Sequence, residues 1–249
     1  MNVKSLKKGS IPSIVLVLII LFSYNYQDEI KDFINKEITK KDTIVENNKV
    51  TLDNIPEYSG KPYVILNDNE PNFDDKDKIT ESFEIYNALD NLGRCTWAYV
   101  NVSLYTMPDE KRGSIGSIKP TAWHTVKYDN IDGKYLYNRC HLIGYQLTGE
   151  NANIKNLITC TRYMNTVGML EFENKVANYV KETSNHVLYR VTPIYDGDNL
   201  LASGVVMEGY SVEDNGKGIK FNVYVYNVQD GIEIDYSNGD SKLKNYGSK

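Results

Sequence analysis

The sequence predicts an α+β fold with a central antiparallel sheet. Short runs rich in β-branched and aromatic residues recur from Tyr58 onward, and the 20 tyrosines suit a strand-rich chain. Phe221, Val223 and Val225 alternate as one buried strand face does. Asp132-Gly133 reads as a hairpin turn, and residues 161–181 read as a helix. In that helix Tyr163, Leu170, Val176 and Val180 form an inward stripe, interrupted by Gly168.

In chain order, Lys4, Lys7 and Lys8 precede an uncharged run from Gly9 to Gln27. This predicts a signal anchor or signal peptide over residues 1–27, with the anchor favoured because no small-x-small cleavage site follows. Export, or attachment to the membrane through this segment, is the expected location. Residues 28–57 are charged and lightly apolar, as in a stalk. Residues 58–235 form the expected domain, and residues 236–249 read as a disordered tail. Within the domain, strands are expected at 63–66, 95–105, 135–143, 187–195, 200–212 and 219–228.

The net charge of −5 does not suit a nucleic-acid partner, but it is unevenly spread. Residues 94–193 hold 12 Lys+Arg and 8 Asp+Glu, net +4, whereas the flanks 1–93 and 194–249 are net −5 and −4. The basic excess therefore lies on the most motif-rich part of the chain, as a phosphate-bearing substrate requires. Cys95, Cys140 and Cys160 follow no regular spacing and read as buried thiols. One disulfide with a spare thiol is the alternative in an exported protein. A zinc cluster of Cys140, His141 and Cys160 matches no recognised pattern.

The motif-rich part runs from Tyr137 to Glu173. It holds Asn138-Arg139-Cys140-His141, then Lys155-Asn156, then Tyr163-Met164-Asn165, then Glu173. These residue types suit phosphodiester hydrolysis, which needs a base for water, oxygen ligands for a hard cation and a cation to hold phosphate. The stretch resembles the catalytic region of the DNA/RNA non-specific endonucleases of the ββα-metal (His-Me finger) superfamily, bacterial DNA-entry nucleases above all. The family signature is Asp-Arg-Gly-His, so Asn138 and Cys140 depart from it.

The resemblance implies a ββα-metal fold, in which the helix bearing the metal ligand packs on the sheet. It also implies roles. His141 is the expected general base. Alone it would read as a structural histidine. Asn165 is the expected direct Mg²⁺ ligand, with Mn²⁺ as a substitute; a helix-capping asparagine is the plainer alternative. Glu173 is expected to hold a metal water, and Asn156 to orient the site. Arg139 is expected to hold phosphate, sharing a strand face with His141. Arg94, at a strand edge, is a second candidate for phosphate, with a surface ion pair at equal odds. Trp123-His124 reads as packed aromatic and satisfied histidine.

The resulting expectation is a metal-dependent endonuclease on DNA and RNA, with no small-molecule cofactor. It would give 5′-phosphate ends. The rival expectation is a decayed surface protein that binds nucleic acid without cutting it.

Overall fold

The computed structural model describes residues 50–244. The expected anchor and most of the stalk lie outside them. Among the described residues no helix is long and apolar enough to cross a membrane.

The described residues form ten strands: β1 (Tyr63–Ile65), β2 (Glu84–Tyr86), β3 (Ala98–Val102), β4 (Tyr137–His141), β5 (Leu157–Thr161), β6 (Val187–Ile194), β7 (Gly204–Ser211), β8 (Lys220–Tyr226), β9 (Ile232–Ile234) and β10 (Ser241–Leu243). Six of them form one sheet in the order β1-β8-β7-β6-β3-β2, antiparallel throughout. The expected α+β class and central antiparallel sheet are therefore observed. β4 and β5 form a separate antiparallel ribbon, with Tyr137 opposite Thr161 and His141 opposite Leu157.

The ribbon leads into a helix that begins irregularly. Met164–Met169 is a π-helical turn, and α2 (Leu170–Thr183) continues it. Phe172, Val176, Ala177 and Val180 form its buried stripe, so Phe172 takes the place expected for Leu170. Gly168 marks a close approach rather than a weak point. A Cβ there would stand 2.3 Å from Val225 Cγ1 on β8, so only glycine lets the helix start lie this near the sheet.

Ribbon and helix cover one face of the sheet. One apolar cluster joins Cys140, Ile158, Cys160, Met164, Phe172 and Val176 to Val100, Tyr189, Met207, Phe221, Val223 and Val225. The other face is covered as well, by Val50, Leu52 and Ile55 against Val206, Tyr224 and Tyr226. Residues 50–57, expected in the stalk, thus pack on the domain. The alternation of Phe221, Val223 and Val225 marks one face of a strand that is buried on both.

The tail after Asp235 is also ordered through residue 244, correcting the expected disorder. β10 pairs with β9, and Tyr137 Oη donates to Gly239 O at 2.8 Å. Ile232 joins Leu136, Tyr137 and Leu201 in a smaller cluster at the outer side of the ribbon.

Candidate active site

A groove of about 540 Å³ opens beside the ribbon, lined by Arg112, Arg139, Arg162, Asn138, Asn165 and Trp123 among others. Three guanidinium groups make it cationic, and the only acid on its walls, Asp132, accepts from Arg162 at 3.0 Å. A surface of this kind attracts phosphate.

His141 ends β4 and is buried, 7% exposed. Its two ring nitrogens have distinct surroundings. Nε2 lies 2.7 Å from Asn151 O, and Nδ1 lies 3.2 Å from Arg112 Nη2. A carbonyl only accepts and a guanidinium only donates. The proton therefore sits on Nε2, and Nδ1 carries the lone pair towards Arg112. Burial pulls the imidazole down to about 4; the Asn151 carbonyl opposes this and the Arg112 charge adds to it. The ring is neutral at pH 7.

Asn156 fixes the chain just after His141. It is fully buried. Its Oδ1 accepts from Ile143 N at 2.8 Å, its Nδ2 donates to Ile143 O at 3.0 Å, and its carbonyl accepts from Leu142 N at 2.8 Å. It faces the backbone, and it acts on the site by holding β4.

Arg139 lies on the groove wall, but much of its fork is committed. Its guanidinium stacks on Trp123, 3.8 Å from the ring centroid. Nη2 donates to Gly116 O at 3.0 Å and Nε donates to Ile118 O. Arg139 thereby pins the 116–118 loop. Arg94 is a correction. It makes an ion pair with Asp90 at 2.7 Å, donates to Gly197 O and Asn199 O at 2.8 Å each, and covers the Tyr195 ring. It is an internal tie between loops and does not line the groove. His124 is satisfied as expected, on Asn238 O at 3.0 Å.

Asn165 occupies the first part of the π-helical turn and faces the groove. The turn is anchored just before it. Met164 N donates to Thr161 Oγ1 at 3.0 Å, and Tyr163 N donates to Gln229 Oε1 at 3.1 Å. Asn165 Oδ1 lies 3.2 Å from Cys140 Sγ. Cys140 and Cys160 form a disulfide across the ribbon. This overturns the expected free thiols and removes both sulfurs from any zinc cluster; Cys95 alone is free, and buried.

Glu173 packs over Gly144 at the start of α1 (Tyr145–Thr148); a Cβ on Gly144 would come within 2.6 Å of Glu173 Oε2. Burial pushes its carboxyl up to about 7, opposed by the Gln146 amide and by Arg112. The charge of Arg112 thus bears on both His141 and Glu173. Sequence reasoning passed over Arg112, because nothing set it apart from Lys111 and Lys119 in the same loop. A faint signal was its neighbour: a Cβ on Gly113 would stand 2.7 Å from Asn151 Nδ2, so glycine lets the loop close on the segment that holds His141.

A family model described as DNA/RNA non-specific endonuclease matches residues 73–213, more than half of the chain. The chain belongs to this family. A deoxyribonuclease of Streptococcus dysgalactiae subsp. equisimilis is 28% identical over 162 residues, covering 63% of this chain and 46% of that protein. The match thus spans less than half of that relative. The crystal structure of magnesium-bound NucA from Streptococcus agalactiae superposes with a TM-score of 0.68 at 24% identity, covering 80% of this chain and 96% of that one. Sda1 nuclease with a bound zinc ion gives a TM-score of 0.59 at 24% identity, covering 74% and 97%. Both likenesses establish the fold: ribbon, π-turn and α2 are the ββα unit of this family.

The donor set can be tested against a divalent metal. Among the described residues no group of three or more His, Cys, Asp or Glu is placed to hold one. The groove instead offers a neutral carboxamide oxygen at Asn165. That set fits a hard cation such as Mg²⁺, which keeps most of its water and takes one or two protein oxygens beside substrate phosphate.

Proposed function

We propose that the protein is a metal-dependent endonuclease that cuts DNA and RNA with little sequence preference and leaves 5′-phosphate ends. The observation that carries this reading is the state of His141. Its Nε2–H donates to Asn151 O, and its Nδ1 lone pair points at a groove guanidinium.

The chain's own residues would work as follows. The groove arginines draw a phosphodiester in, and Arg112 turns from Nδ1 onto a phosphate oxygen. That move neutralises the cation beside the ring and frees the lone pair. Nδ1 then takes a proton from water attacking in line with the 3′ oxygen. Asn151 O steadies the imidazolium through Nε2–H. Asn165 would hold Mg²⁺ directly and Glu173 through water. Bound Mg²⁺ supplies positive charge for the phosphate and the leaving oxygen. The neutral Asn165 ligand and the family's magnesium-bound structural neighbour support Mg²⁺, and Mn²⁺ offers the same oxygen preference.

The disulfide supports folding in an oxidising compartment. This supports the reading that the domain works outside the cytoplasm, held or delivered by residues 1–27. The test of function is paired: plasmid nicking and melting temperature across a magnesium titration, for wild type and Asn165→Ala. Wild-type nicking is expected to rise with magnesium, and Asn165→Ala to lose most of it with little change in melting. A nicking rate that stays flat across the titration overturns the metal mechanism. DNA retained in a shift assay with no cutting at any magnesium concentration would favour the decayed binder.

A further inference from the structure

We infer that the Cys140–Cys160 disulfide is a positioning element of the candidate site, so that the nuclease reaches its full rate only when this bond forms. The inference rests on the nuclease reading above.

The bond sits between the two halves of the site. Cys140 immediately precedes His141 on β4. Cys160 is the penultimate residue of β5, five residues before Asn165. Asn138 pairs with Cys160 and Cys140 with Ile158, so the two cysteines are diagonal neighbours across the ribbon. The bond ties the strand bearing the proposed base to the strand that launches the π-turn. It also touches that turn's functional group, since Cys140 Sγ lies 3.2 Å from Asn165 Oδ1.

The ribbon needs such a tie. It is two-stranded, and neither strand belongs to the six-stranded sheet. An isolated two-stranded pair is marginal on its own. Here the large apolar cluster holds its inner side, while on the outer side only Tyr137, at the start of β4, joins the smaller cluster and the groove beside it is polar. Without the bond, the ribbon and π-turn can shift against each other within that packing. Misplacement by about 1 Å at a catalytic centre costs on the order of 10²-fold in rate.

The chemistry has one outcome. Three cysteines are present in the whole sequence. The third, Cys95, is buried, and its Sγ lies 3.2 Å from Ile154 O. Burial pushes its thiol up to about 12, so it supplies almost no thiolate for exchange. Formation needs a disulfide oxidant. Cys140 and Cys160 thiols lose two protons and two electrons. An external disulfide such as oxidised glutathione takes both, its S–S bond breaks, and two thiols leave. Both cysteines end up at 1% exposure or less. Reduction then requires the ribbon to open, which makes the step effectively one-way.

The experiment refolds the full chain from denaturant in dithiothreitol or in oxidised glutathione. Thiol titration counts free cysteines, and circular dichroism checks the fold. Nicking is then measured across a magnesium titration. The oxidised chain is expected to show one free thiol and to cut about 10²-fold faster than the reduced chain. It is also expected to half-saturate at lower magnesium. Cys140→Ala/Cys160→Ala should match the reduced chain and ignore glutathione, whereas Cys95→Ala should respond as wild type does. Equal rates and equal magnesium half-saturation for folded oxidised and reduced chains overturn the inference. So does an oxidised chain with three free thiols. If neither form cuts, the nuclease reading fails, and hydrogen exchange decides the positioning claim. Amides of 137–141 and 162–169 are expected to be better protected in the oxidised chain, and equal protection refutes it.

Discussion

Replacing His141 by Gln is expected to change how folding stability responds to acid. His141 is held at about 4 in the folded chain by burial, against 6.5 for the free side chain. A depressed folded pKa contributes stability that is present above 6.5 and is lost as pH falls towards 4. Glu173 has the opposite sign. Burial raises it to about 7 from 4.5, so its contribution is present below 4.5 and is lost as pH rises through 7. At about 1.4 kcal/mol per unit, lowering the pH from ~7.5 to ~5 removes about 2 kcal/mol through His141. Over the same interval Glu173 returns about 2 kcal/mol, somewhat less for its partial exposure. In wild type the two offset each other. In His141→Gln the Glu173 gain stands alone, and stability rises on acidification by about 2 kcal/mol relative to wild type. Glu173→Gln should show the mirror image. The assay is urea unfolding of all three chains at both pH values, with chelator present to keep metal out of the balance. A His141→Gln chain whose stability change matches that of wild type refutes the buried, neutral histidine.

Three further outcomes follow from the site geometry. His141→Ala should cut about 10²–10⁴-fold more slowly with an unchanged circular dichroism spectrum, whereas His124→Ala should stay near wild type. Arg112→Ala should lower plasmid nicking at least about tenfold, and Arg112→Lys should recover part of it, because a point charge replaces only part of a fork. Arg94→Ala should leave the nicking rate per folded molecule unchanged but cost about 2 kcal/mol in urea unfolding, since Asp90 and two carbonyls lose their donor.

The parts of this protein legible in its sequence were those with a local cause. The alternation of Phe221, Val223 and Val225 marked β8, and Asp132-Gly133 marked a turn where Gly133 has φ +70°. The spacing from His141 through Asn156 to Asn165 placed β4, a loop and the helix in order, but passed over β5 between the loop and the helix. Contacts between distant segments stayed hidden. β2 is three residues long and carries no pattern beyond its neighbours. The tail looked polar because β10 offers only Leu243 as an apolar residue, and that one is 55% exposed. Arg94 and Arg112 are chemically identical in the sequence. Asp90, four residues before Arg94, captures the first, while the nearness of Arg112 to His141 depends on how a loop crosses the ribbon 29 residues away. The sequence allowed one disulfide with a spare thiol, but which cysteines pair stayed hidden, because Cys140 and Cys160 lie diagonally on adjacent strands and share no motif.

The hydrogen bond from Tyr137 to Gly239 spans 102 residues. Its consequence concerns the order in which the molecule is made. The ribbon is synthesised long before β9 and β10, yet the cluster beneath its outer side includes Ile232, and His124 closes on Asn238. A growing chain can therefore assemble strand β4 with its arginine and histidine while the support beneath them is still missing. The groove takes its final form only after residues 232–243 have joined. Contacts of such sequence separation form late and slowly. The domain is thus finished by its last strands, after most of the chain has already been made.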